Sequence, residues 1–269
     1  LADDGDDYVI NLNDASGQLF EGPAPEDALI FGLDGGAGLD TVSTDLRSRS
    51  EDIVLISLNA DQENPDQLTI FADGAYIKRF ERFENIQTGK GDDELVQLGR
   101  VDNDFRTGAG DDVVNAGLGF DFVDGGINGL SSGENFDGGN DLLIVDYQPE
   151  DTGTGLFSEV NISVNGISDG RYYRYAADGV TLLDEVQFTN FERVHIDGTQ
   201  QGDNIIGLSV HDELRGHDGN DVLSGGSGTG NDDLFGGAGN DFMIGRAGVD
   251  MLIGDGGNDT LNGGANNDI

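Results

Sequence analysis

The chain has no cysteine, no tryptophan, four prolines and only 13 basic residues among 269. Without cysteine, disulfides cannot staple the fold, and zinc thiolates and thiol redox chemistry are excluded. The few Lys and Arg stand against 53 Asp and Glu, leaving a formal net charge of −40. A nucleic-acid binder needs a basic surface to neutralise phosphates, so that class is excluded. An anionic membrane face would repel the chain for the same reason. No apolar run exceeds four residues, as at Ile53–Ile56 and Leu142–Val145, so no membrane insertion is expected. There is no helical period and no segment resembling a signal peptide.

What is present in excess is glycine and aspartate. Glycine numbers 45, more than twice the share of about 7% in an ordinary chain. Of the acids, 40 are Asp and 13 Glu, a skew toward the shorter, turn-compatible carboxylate. Leu, Ile, Val and Phe total 73, above the roughly 20% share below which a charged chain stays unfolded. A core can form, but the uncompensated charge opposes it in the absence of counter-ions.

The excess is periodic. Asp203, Asp212, Asp221, Asp232, Asp241, Asp250, Asp259 and Asp268 are nine residues apart, except for one step of eleven between Asp221 and Asp232. Two residues after each of the first seven comes Ile205, Leu214, Leu223, Leu234, Met243, Leu252 or Leu261. The unit reads G-x-x-G-x-D-x-apolar-x, most cleanly in Gly236-Gly237-Ala238-Gly239-Asn240-Asp241-Phe242-Met243-Ile244. Its first six residues favour a turn, because glycine accepts positive φ and Asn and Asp tolerate turns. Its last three form a minimal strand with one inward apolar side chain. Turn, strand, turn, strand makes a coil, and stacked coils pair their strands in parallel around a thin core.

These residues resemble the RTX, or haemolysin-type, calcium-binding nonapeptide repeat, specifically over 198–269. The resemblance implies an all-β parallel β-roll with Ca2+ between stacked turns. The chemistry agrees, since calcium takes six to eight oxygens from carboxylates and carbonyls. Asp203, Asp221, Asp241 and Asp259 are expected in one column, and Asp212, Asp232, Asp250 and Asp268 in the other. Expected carbonyl donors are Gly216, Asp218 and Gly219; Gly236, Gly237, Ala238 and Gly239; Gly245, Ala247 and Gly248; and Gly254, Gly256 and Gly257. Three gaps per column imply up to about six ions here, with a few more upstream. Gln201, Val210 and Asn266 replace the second glycine, and β-branched Val210 disfavours positive φ. The turns at Gly198 and Gly207 are therefore poor sites, and those from Gly216 to Asp259 the better ones. The two extra residues, Gly228-Thr229, should bulge outward without shifting the strand phase.

Weaker units lie upstream, around Asp40, Asp93, Asp112, Asp121 and Asp141, with Asn103 and Phe105 filling a unit one residue out of step. The chain opens inside another unit at Asp7, and both ends cut through repeats, as in a piece of a longer protein. Residues 1–34 read as the end of a preceding block plus a loop around Pro23 and Pro25. Two modules follow, 35–136 and 137–269, each a β-rich insert before its repeats. The inserts carry turn-like Asp73-Gly74 and Asp169-Gly170 and are expected as longer coils or protruding hairpins.

Signals for catalysis are weak. Gly129-Leu130-Ser131-Ser132-Gly133 matches G-x-S-x-G but lacks the strand–helix context of a nucleophile elbow. His195, His211 and His217 have no zinc-protease spacing. Arg171-Tyr172-Tyr173-Arg174-Tyr175 reads as an alternating strand whose long side chains cover an insert; the alternative is an exposed aromatic-cationic patch of Arg171, Tyr173 and Arg174 that could take a surface glycan or protein partner. No catalytic residue is assigned. The expected function is a calcium-dependent structural segment of a secreted or cell-surface bacterial protein. The family resemblance further implies the type I secretion apparatus as a partner, with folding on calcium after export. Alternatives are an accessory domain of a secreted enzyme (a protease, lipase or polysaccharide-modifying enzyme) and an adhesin acting through the inserts.

Overall fold

The computed structural model describes residues 8–10, 32–34, 41–46, 52–57, 68–70, 76–78, 82–126, 140–147, 153–162 and 168–269. The fold is all-β; among the described residues no helix is long and apolar enough to cross a membrane. The chain divides into two compact units, Leu1–Gly139 and Asn140–Ile269.

In the second unit the nonapeptides build two parallel sheets. One runs Asn204–Ile206, Val222–Ser224, Phe242–Ala247, Thr260–Ala265, with Leu223 in register with Ile205 and Met243, and Met243 with Leu261. The other runs Leu142–Asp146, Arg193–Asp197, Glu213–Asp218, Asp233–Ala238, Met251–Gly256, aligning Ile196, Leu214, Leu234 and Leu252. Because side chains alternate along a strand, one apolar position per repeat suffices for the core. Ile205, Leu214, Leu223, Leu234 and Met243 are fully buried. The extra pair Gly228-Thr229 leaves the strands in phase, since Leu214 still faces Leu234 across the eleven-residue step.

The insert of this unit is a three-stranded antiparallel meander, Gly153–Ile162, Ser168–Ala176 and Leu182–Phe191. Its first strand joins the roll in parallel, Phe157 facing Asn204. Alternation sends Tyr172 and Arg174 inward. Tyr172 stacks on Phe188 with centroids 5.2 Å apart and donates its hydroxyl to the Ile206 carbonyl at 2.7 Å. Arg174 is 1% exposed and pairs with Asp184 at 2.6 Å. It is therefore not part of an exposed patch with Arg171 and Tyr173, because neighbours in a strand face opposite ways. Replacing Asp184 with Ala takes the paired carboxylate from a buried guanidinium and is expected to cost about 3–5 kcal/mol. Thermal unfolding of the calcium-saturated protein measures this, and the Arg174→Met, Asp184→Leu double variant should recover most of the loss.

The first unit has the same plan. Tyr8–Ile10, Thr41–Asp45, Arg82–Gln87, Asp104–Arg106 and Phe120–Asp124 form one parallel sheet. Val54–Ser57, Glu94–Gln97 and Val113–Asn115 form another. Ile86, Phe105 and Val123 align and are buried, as are Leu55, Leu95 and Val114. Part of its insert is thus a roll strand, Val54–Ser57, while Gly32–Asp34, Tyr76–Lys78 and Leu68–Ile70 make a small mixed sheet. Asp7, Asp40, Asp73-Gly74, the Pro23–Pro25 loop and Gly129–Gly133 lie outside the described residues.

Candidate metal centre

In each coil the aspartate ending the turn accepts a backbone hydrogen bond from the coil before it. Asp203 N–H donates to Asp221 Oδ1 at 2.8 Å, Asp221 N–H to Asp241 Oδ1 at 2.9 Å and Asp241 N–H to Asp259 Oδ1 at 3.0 Å. In the second column the N–H of Asp212, Asp232 and Asp250 donates to Oδ1 of Asp232, Asp250 and Asp268 at 3.0, 2.9 and 3.2 Å. Upstream, Ile53 N–H donates to Asp93 Oδ1, Asp93 N–H to Asp112 Oδ1, and Asn103 N–H to Asp121 Oδ1, all at 2.8–2.9 Å. Asp141 enters differently, donating its N–H to Glu192 Oε2 at 3.0 Å. Glu192 faces the Asp141 position across the parallel pair, a role hidden in the sequence because a glutamate there breaks the Asp rhythm.

The first carboxylate oxygen is thus used by the backbone. The second, Oδ2, is buried without a hydrogen-bond donor in Asp93, Asp221, Asp241 and Asp250. The turns at Gly198 and Gly207 differ: Asp203 Oδ2 accepts Thr199 N–H at 2.8 Å and Asp212 Oδ2 accepts Leu208 N–H at 2.5 Å. Neither Gln201 nor Val210 takes positive φ there.

The glycine opening each repeat makes room for that second oxygen. A Cβ on Gly216, Gly225, Gly236, Gly245 or Gly254 would lie within 2.5 Å of Oδ2 of Asp221, Asp232, Asp241, Asp250 or Asp259. The same Cβ on Gly216, Gly225 or Gly245 would also meet, at 2.7–2.9 Å, the carbonyl oxygen of Gly236, Gly245 or Gly263 in the next coil. A carboxylate oxygen and a carbonyl oxygen therefore converge from successive coils. Gly263 is a donor the sequence pattern did not single out. Of the other expected carbonyls, Ala238 and Gly256 each accept a stacking hydrogen bond, from Gly219 N–H and Gly239 N–H at 2.8 and 2.7 Å. Among the described residues no three His, Asp or Glu side chains gather into a metal cluster; the converging set is one carboxylate per turn with main-chain oxygens.

Electrostatics point the same way. Burial pushes Asp93, Asp221 and Asp232 up to about 7 from an ordinary 3.8, and Asp112 and Asp203 to about 6. Asp212, Asp241 and Asp250 are raised for the same reason, and a column neighbour adds repulsion: Asp232, Asp259 and Asp268 respectively. Where such a buried carboxylate also has one oxygen without a donor, as in Asp221, Asp241 and Asp250, a proton or a cation relieves it. Calcium fits this donor set: it is a hard ion taking carboxylate and carbonyl oxygens in flexible geometry. Asp221, Asp232, Asp241 and Asp250, with the Gly236, Gly245 and Gly263 carbonyls, are the residues that would hold it.

A second ladder of opposite polarity runs one residue earlier. Asn240 N–H donates to Asn220 Oδ1 at 2.8 Å, Asn258 N–H to Asn240 Oδ1 at 3.0 Å and Val249 N–H to Asn231 Oδ1 at 2.7 Å. Asp111 N–H donates to Asp92 in the same way at 2.9 Å. The Asn-Asp pair of the repeat therefore bonds one coil with each residue. Two of the three histidines serve a surface ion network: Asp197 accepts from His195 at 3.1 Å and His217 at 3.0 Å, and His195 also reaches Glu213 at 3.1 Å, while His211 lies apart, 3.9 Å from Asp233. Of the alternative patch, Arg171 stacks 4.5 Å from the Tyr173 ring beside Phe157 and Tyr175, but its charge is already paired with Glu159 and Glu185.

The RTX calcium-binding nonapeptide repeat matches the chain in four copies, at 99–128, 197–229, 227–261 and 244–269. These spans contain Asp112, Asp121 and the whole array from Asp203 to Asp268; Asp93 and Asp141 fall outside them. Comparison with curated proteins finds no match. The matched spans are RTX repeats, and their strands fold as a parallel β-roll; that repeat family is a structural calcium-binding module and not a catalytic one.

Proposed function

We propose that these repeats make the chain a calcium-folded structural segment of a secreted or cell-surface bacterial protein, with ions seated in the turns from Gly216 onward. The observation carrying this reading is the set of buried second oxygens on Asp221, Asp241 and Asp250, each without a donor. In the turns at Gly198 and Gly207 that oxygen is bonded by its own turn, so those turns are assigned no ion. The charge of −40 keeps the chain open where calcium is scarce, and binding only to the folded state stabilises it by mass action where calcium is plentiful. Export through a type I secretion system, which the resemblance to this repeat family implies, fits a chain that stays unfolded where calcium is scarce.

Titration of calcium into calcium-free protein at neutral pH should raise the β signal in circular dichroism cooperatively. A chain already fully β-structured before calcium is added contradicts the reading. In the same assay Asp241→Ala should lower both the calcium stoichiometry and the cooperativity, because its Oδ1 accepts from Asp221 and its N–H donates to Asp259. Calorimetry with unchanged stoichiometry would count against the assignment.

A further inference from the structure

Among the described repeat turns, one carries an amide in the ladder position that elsewhere holds an aspartate. Asn103 occupies the ladder position, its N–H donating to Asp121 Oδ1 at 2.9 Å as Asp241 donates to Asp259. The side chain is 4% exposed. Its Nδ2 lies 2.7 Å from the Val101 carbonyl, 2.9 Å from the Ala116 carbonyl and 2.9 Å from Asp121 Oδ1. Ala116 opens the next repeat, as Gly236 does for Asp221. Of the three oxygens around Nδ2, the Ala116 carbonyl corresponds to the Gly236 carbonyl that converges with Asp221 Oδ2. Three oxygens drawn together away from water need a donor or a cation between them. Here the amide supplies the hydrogens, while Asn103 Oδ1 is left buried without a partner.

We propose that Asn103 plugs a calcium position, closing this rung of the first unit with a neutral amide in place of an ion. The inference rests on the calcium reading of the other turns and adds a metal site that a single atom exchange would open. In Asn103→Asp a carboxylate oxygen replaces Nδ2, so four oxygens face one another and a divalent cation becomes the favourable occupant. The rung then behaves like the turns from Gly216 onward: bound when calcium is present, repulsive when it is absent.

Calcium per chain, measured by equilibrium dialysis and atomic emission on the full chain, separates the outcomes. Asn103→Asp should bind one more ion than the wild type, and its folding should depend more steeply on calcium concentration. Asn103→Ala should bind the same number as the wild type, since no ion is lost with the amide. Asp241→Asn serves as the control for the parent reading and should bind fewer. If Asp241→Asn binds fewer but Asn103→Asp gains none, or Asn103→Ala loses one, the plug is overturned and the calcium turns stand. If Asp241→Asn loses none, both readings fall.

Discussion

Calcium-free protein should recover β structure when the pH is lowered from about 7.5 to about 5.5, the reverse of ordinary acid denaturation. Burial raises Asp93, Asp221 and Asp232 to about 7 and Asp112 and Asp203 to about 6 in the folded state, above an ordinary 3.8. A carboxylate raised in this way binds its proton more tightly folded than unfolded. Folding therefore takes up protons, and the metal-free roll is least penalised below about pH 4, losing stability as the pH climbs through 6 and 7. Each such group contributes about 1.4 kcal/mol per pH unit across its window, so several acting together shift the balance decisively. Protons and calcium compete for the same oxygens, and apparent calcium affinity should fall over the same interval. Circular dichroism at low micromolar concentration, which limits association near the pI of 4.1, provides the measurement. A β signal no larger at pH 5.5 than at pH 7.5 in calcium-free buffer would mean that the ladder carboxylates are not the obstacle to folding.

Much of this arrangement was legible as arithmetic. A nine-residue period with one Asp and one apolar residue per unit predicts alternating columns, and the strand register places Leu223 beside Met243 and Leu214 beside Leu234 accordingly. The division of labour between the two oxygens of each Asp was not legible, because it depends on the coil-to-coil rise that brings an N–H to one oxygen and leaves the other bare. Nor was the reason for the glycines. The opening glycine is required for space beside Oδ2, whereas the left-handed residue that follows is occupied by His217, Arg246 and Asp255 as well as by glycine. The alternating-strand reading of 171–175 holds, and the alternative of an exposed patch fails for Arg174 because the strand turns it inward onto Asp184. Glu192 escaped notice because the insert before it lacks the repeat's glycines, so nothing local marked it as a ladder position.

Gly239→Ala should be the most damaging single-methyl change in the second unit. Gly239 sits at φ +155°, and a Cβ there would overlap the carbonyl oxygen of Gly219 in the preceding coil, while Gly257 stacks in the same way on the carbonyl of Gly239. Backbone cannot swing aside as a side chain can, so the coils must separate. Separation strains the Gly219 N–H to Ala238 carbonyl bond of 2.8 Å and the Asp221 N–H to Asp241 Oδ1 bond of 2.9 Å, and with them the turn proposed to hold an ion. A cost on the order of 4 kcal/mol or more is expected, in the range reserved for main-chain strain and broken networks, together with a lower calcium stoichiometry. Gly179→Ala provides the contrast. It also has positive φ, 69°, but a Cβ there meets nothing within 4 Å, so it should cost about 1–2 kcal/mol for the left-handed backbone alone and leave calcium binding unchanged. Thermal unfolding in saturating calcium, paired with calorimetric stoichiometry, distinguishes the two variants. Equal losses in both would show that glycine serves this roll through chain conformation, and the argument from close approach between coils would be wrong.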